Sequence, residues 1–145
     1  MSSKWDIRFL DLARLVSSWS KDPSTQTGAV IVRPNRSVLS VGYNGFPRKM
    51  SDSSALYAVR EIKYSRVVHC EINAMISAHT DISGCTLYTF PFMSCDRCCV
   101  QMIQAGIVRM VAPKASTESL ERWGKAFDLV RQYCQEANVE LVECE

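Results

Sequence analysis

A chain of 145 residues that is 47% apolar and 22% charged has the size and balance of one globular domain spanning 1–145, which excludes a disordered or fibrous protein. Seventeen basic residues against fifteen acidic ones leave a net charge of +2, scattered rather than gathered in a stripe, and this argues against a partner such as duplex nucleic acid. No run approaches the roughly eighteen apolar residues of a membrane-spanning helix, so no membrane partner is expected.

Trp5, Phe9, Leu12, Val16 and Trp19 recur at three- and four-residue steps and predict an opening helix that ends before Pro23, with this stripe in the core. Arg8, Asp11 and Arg14 interrupt it, unlike the apolar run of a signal peptide, so a cytoplasmic protein of a bacterium or phage-infected cell is expected. The β-branched runs from Gly28 to Arg33 and from Val38 to Tyr43, around the turn residues Pro34-Asn35-Arg36, predict an antiparallel hairpin. A loop from Tyr43 to Ser54 follows, in which Gly42 and Gly45 would let backbone approach a ligand. A short helix is expected over 55–64.

A helix from His69 to His79 presents Ile72, Met75 and Ile76 on one face, and a strand from Cys85 to Phe90 precedes Pro91. The next helix runs from Asp96 to Ala105 and stops at Gly106, and a strand from Ile107 to Ala112 ends at Pro113. Leu120, Trp123, Phe127, Val130 and Cys134 mark a last helix, and Val139 to Val142 a last strand. Helices alternating with strands predict an α/β fold, a three-layer α/β/α sandwich with a mixed five-stranded sheet.

Seven cysteines, an odd number without an export signal, read as thiols and metal ligands rather than disulfides. Two predicted helix starts carry His69-Cys70-Glu71 and Cys95-Asp96-Arg97-Cys98. Imidazole and thiolate are ligands that zinc prefers, and three of them leave a fourth position for water, as in a catalytic site. Cys95 and Cys98 lie where a helix N-terminus favours anionic sulfur. Glu71, in the first turn beside His69, supplies a carboxylate for proton transfer or only a charge that offsets the helix dipole. Two other readings stay open at this point: a structural zinc closed by Cys70 or Cys99, and redox use of Cys95 and Cys98. His79 reads as a surface residue, and Cys85, Cys134 and Cys144 as buried small apolar ones. Arg97, Arg109 and Lys114 are candidates for a local anion site.

These motifs resemble those of the zinc-dependent cytidine/deoxycytidylate deaminase family, and in particular its deoxycytidylate (dCMP) deaminases. The likeness runs from Ser20-Lys21-Asp22-Pro23-Ser24-Thr25-Gln26-Thr27-Gly28-Ala29 through Gly42-Tyr43-Asn44-Gly45-Phe46-Pro47 and His69-Cys70-Glu71-Ile72-Asn73-Ala74 to Gln104-Ala105-Gly106-Ile107. The resemblance implies a cytidine deaminase-like fold and the hydrolysis of dCMP to dUMP and ammonia, supplying dUMP for thymidylate synthesis. It implies Zn2+ held by His69, Cys95 and Cys98, with Glu71 as the catalytic proton shuttle. Asn44 would contact the sugar or base, Ser24, Thr25 and Thr27 would lie along the ribose and phosphate, and Phe92 and Met93 would line the base pocket or pack in the core. A small-molecule nucleotide is the implied partner, and a homo-oligomer is implied because relatives are commonly hexamers.

Three departures stand out. Cys70 replaces the usual alanine, Ser94 the proline before the first cysteine ligand, and Lys49 a glycine common in relatives controlled by nucleoside triphosphates. Competing expectations are a deaminase of a modified cytosine nucleotide, a nucleoside or another base, and a non-catalytic zinc-stabilised binding domain.

Overall fold

The computed structural model describes residues 3–145. The elements are α1 (Lys4–Ser17), β1 (Gly28–Val32), β2 (Val38–Tyr43), α2 (Ser54–Ala58), α3 (Arg60–Arg66), α4 (Cys70–Ala78), β3 (Thr86–Phe90), α5 (Asp96–Gln104), β4 (Arg109–Pro113), α6 (Thr117–Glu136) and β5 (Glu140–Cys144). The strands form one mixed sheet in the order β2-β1-β3-β4-β5. β1 is antiparallel to β2 and to β3, while β3, β4 and β5 run parallel.

Every residue of β1 is buried, as expected of a strand covered on both faces. Alternation along the strands divides the core in two. Val30, Val32, Tyr88, Val111 and Val142 pack against Phe9, Leu10 and Ala13 of α1. Ala29, Ile31, Leu87 and Met110 face the opposite layer, where α4, α5 and α6 contribute Ala74, Met102, Phe127 and Val130. The result is the predicted three-layer sandwich. No helix among the described residues is long and apolar enough to cross a membrane.

Two glycines set how closely helices lie on this sheet. A Cβ on Gly28 would meet the Ser17 nitrogen of α1 at 2.6 Å, and one on Gly42 would meet the Cys70 carbonyl oxygen of α4 at 2.5 Å. Gly42 therefore accommodates a helix backbone, not the ligand that the loop sequence suggests. The Ser40 hydroxyl, donating to the Ala74 carbonyl at 2.7 Å, ties the same helix to β2.

Several local expectations are corrected. α1 ends at Ser17, before Trp19, and its inward stripe is Asp6, Phe9, Leu10, Ala13 and Val16. Trp19 is 51% exposed and meets Tyr43 edge-on. The segment 55–64 is two short helices, because Val59 takes an extended conformation between them. α4 buries Cys70, Glu71 and Ala74 and leaves Ile76 at 56% exposure, since the positions nearest β2 are the small ones. Arg97, Arg109 and Lys114 do not form an anion site: Arg109 chelates the buried Asp6 at 2.7 and 2.8 Å and also bonds Glu140, while Lys114 pairs with Glu145.

Candidate active site

The β2–loop exit and the start of α4 are joined by reciprocal backbone bonds between Gly45 and Val68, at 2.8 and 3.1 Å. This bridge fixes His69 as the N-cap of α4 and places Glu71 in its first turn. Across from it, Cys95 caps α5, its sulfur accepting from the Cys98 N–H at 3.4 Å. His69 Nδ1 lies 3.6 Å from Cys95 Sγ and 3.2 Å from Cys98 Sγ, and the three donor atoms all fall within 4.8 Å of one another.

A tetrahedral zinc with bonds of about 2.0 Å to nitrogen and 2.3 Å to sulfur sets those atoms about 3.5 Å apart, so spacing and donor chemistry both fit the metal. Neither Cys70 nor Cys99 joins the group. Cys70 turns its thiol to Glu71 Oε1 at 3.0 Å, and Cys99 is fully buried in the core.

The Cys98 thiol donates to Cys95 and, with the His69 ring and the α5 N-terminus, outweighs burial and pulls the Cys95 thiol down to about 4. The same contact with Cys95 raises the His69 imidazole, aided by the charge of Glu71. Burial and the neighbouring Glu71 carboxylate push Cys70 upward, so it stays a thiol and a donor. The Cys95 sulfur is thereby drawn toward its anionic form.

His69, Glu71 and Cys95 face a cavity of about 150 Å³. Of the residues expected to bind substrate, Thr25, Thr27, Asn44, Phe92 and Met93 line it, whereas Ser24 does not. Phe92 meets Trp123 at 4.8 Å and Phe127 at 5.9 Å between ring centroids, tilted by 46° and 44°, giving an aromatic wall supplied by α6. Glu71 is 4% exposed, and among the described residues its only hydrogen-bond donor is Cys70.

The polar wall is a loop clasped from several sides. Asn44 accepts from the Thr27 N–H at 2.9 Å and donates to the Thr25 carbonyl at 2.9 Å and to Asp22 at 3.4 Å. The Asp22 carboxylate also accepts from the Ser24 and Thr25 backbone and from the Ser24 hydroxyl. Burial works to raise the Asp22 carboxyl, but Lys63 and these N–H groups outweigh it and hold it below the usual range. Beside the metal-ligand loop, the Ser94 hydroxyl is buried without a partner.

Sequence reasoning missed Asp22, Lys63 and Trp123 as cavity residues. Asp22 stood inside a quoted motif, but nothing local signals that Lys63, 41 residues away, meets it. Trp123 reads as one more member of a core stripe.

The cytidine and deoxycytidylate deaminase zinc-binding region matches residues 3–114 of the chain. An "Uncharacterized deaminase in luxG 3'region" of Aliivibrio fischeri is 43% identical over 97% of this chain and 94% of its own length. The deoxycytidylate deaminase of Homo sapiens is 35% identical over 74% of this chain, and the match spans 64% of the human protein. Among solved structures, the dCMP deaminase of cyanophage S-TIM5 in apo form superposes with a TM-score of 0.75 at 21% identity over 99% of both chains. Its complex with dCMP and dUMP gives 0.72 at 22% identity over 97% of both. These last two likenesses concern the fold.

Proposed function

We propose that this chain, which belongs to the cytidine and deoxycytidylate deaminase family, hydrolyses dCMP to dUMP and ammonia and so supplies dUMP for thymidylate synthesis. The observation that carries the reading is that one imidazole and two thiols gather within 4.8 Å of one another, and that the imidazole, one of these thiols and the buried Glu71 carboxylate line a single cavity. The dCMP deaminase relatives and the nucleotides named for the cyanophage protein favour a cytosine nucleotide as substrate.

In this mechanism His69, Cys95 and Cys98 would hold zinc. Zinc in such a site supplies a water acidic enough to act as nucleophile near neutral pH. Glu71 would accept a proton from the attacking water, and Cys70, occupying Oε1, leaves Oε2 without a protein donor among the described residues. As the oxygen bonds to C4 of the cytosine, Glu71 passes that proton to ring N3; it then takes the remaining proton from the new C4 hydroxyl, as C4=O forms, and passes it to the exocyclic nitrogen. The C4–N bond breaks and ammonia departs. Phe92 and Trp123 offer faces against which the base stacks.

Ammonia release from cytosine, deoxycytidine, dCMP and dCTP tests the reading. Turnover should be highest on dCMP, and Glu71→Gln should retain zinc while losing at least about 100-fold in kcat. No hydrolysis of dCMP by the zinc-loaded protein, or near-normal turnover by the variant, overturns it.

A further inference from the structure

Among the described residues that line the cavity, Lys63 is the only lysine or arginine. It reaches the wall from α3 with its side chain 14% exposed. Its Nζ lies 2.8 and 3.0 Å from the two Asp22 oxygens and 2.7 Å from Ser24 Oγ.

One of the two Asp22 oxygens does not need this ammonium. Oδ1 already accepts from two backbone N–H groups and the Ser24 hydroxyl, whereas Oδ2 has, besides Lys63, only the Asn44 amide at 3.4 Å among the described residues. Lys63 can therefore give up its contact with Oδ1 while keeping the one with Oδ2. Its three N–H groups sit on a flexible stem that can redirect them.

The remaining ionisable side chains of the cavity that lie outside the metal-ligand group and carry charge are Asp22 and Glu71, both acidic. A phosphate dianion entering a partly closed cavity with two carboxylates and no cation would meet repulsion and lose hydration without compensation. Lys63 is the one group on this wall that reverses that balance, and Thr25 and Asn44 stand on the same side of the cavity lining.

We infer that Lys63 is a specificity residue that exchanges part of its contact with Asp22 for the 5′-phosphate of a nucleoside monophosphate, so that the cavity selects nucleotides over nucleosides. The inference rests on the deaminase reading above for the base and sugar, and it adds the group that recognises the phosphate.

Calorimetric titration of the zinc-loaded protein with dUMP and with deoxyuridine, which differ only in the phosphate, tests this. Wild type should bind dUMP about 10- to 100-fold more tightly than deoxyuridine, the range of a hydrogen bond to a charged group. In Lys63→Met and Lys63→Gln the two affinities should converge to within about threefold, whereas Lys63→Arg, which also pairs with phosphate, should keep a preference. Lysine-selective NMR of wild type provides a measurement independent of whether the variants fold: dUMP should shift the Lys63 ammonium resonance and deoxyuridine should not. A wild type without preference, a Met or Gln variant that keeps the wild-type ratio, or a Lys63 resonance indifferent to dUMP overturns the inference. A protein that prefers dUMP through Lys63 yet does not hydrolyse dCMP would sink the deaminase reading alone.

Discussion

Replacing Gly42 with alanine links a packing contact to the chemistry. The new Cβ would lie 2.5 Å from the Cys70 carbonyl oxygen and 2.9 Å from the Ala74 Cα, and closer still to the Ala74 nitrogen, where ordinary contact begins at 3.4 Å. All three neighbours are α4 backbone, so no flexible side chain can yield, and the helix must retreat by about 1 Å. Overpacking of this kind costs about 1–3 kcal/mol, or roughly 2–10 °C in Tm at this chain length. α4 begins immediately after His69 and carries Glu71, so the same displacement should cost on the order of 100-fold in kcat/KM. Scanning calorimetry, zinc analysis and ammonia release measure the three consequences. Gly45→Ala is the control, because its Cβ would meet only the Tyr57 hydroxyl, at 3.6 Å, and it should stay within about 0.5 kcal/mol of wild type. A Gly42→Ala protein with wild-type Tm and turnover would refute the claim that backbone proximity positions α4.

Arg109, opposing burial and aided by Tyr88, holds the Asp6 carboxyl down at about 2 from an ordinary 3.8, equivalent to about 2 kcal/mol. Because that carboxyl is depressed, its contribution is complete above about pH 5 and lost as pH falls through 2, so the stability gap between wild type and Asp6→Asn in urea titrations should shrink over that window; a constant gap contradicts this. Asn44→Ala removes the clasp on the loop from Asp22 to Thr27 and should lower stability by about 1–3 kcal/mol while raising KM more than it lowers kcat; an unchanged Tm would rule out the clasp. Cys70→Ala deletes only a weak thiol donor, so it should keep one zinc per chain and lose less than about tenfold in kcat/KM, and loss of zinc would instead make Cys70 a ligand.

That His69, Cys95 and Cys98 would gather with Glu71 nearby was readable because each motif is local. One helix start delivers His69 and Glu71 and another delivers Cys95 and Cys98, leaving only the approach of the two ends to the fold. The polar wall was less readable. Asn44 was singled out as a ligand contact, yet its amide holds Thr25, Thr27 and Asp22 together, bonds that join residues 17 to 22 positions apart. Nothing local sets Asp6 apart from the other charged residues of the opening helix. Its burial depends on Arg109, 103 residues away, which no local pattern can reveal.

Chain order and side-chain chemistry alone determined the alternation of elements, a sheet covered on both faces and the candidate metal donors, because periodicity and short motifs act over a few neighbouring residues. Only the tertiary structure decided that Gly42 serves a helix, that Trp19 lies outside the core and that Lys63 meets Asp22 at the cavity wall. Those outcomes depend on which surfaces the sheet brings within contact distance, and short-range interactions stop well before the sequence separations involved.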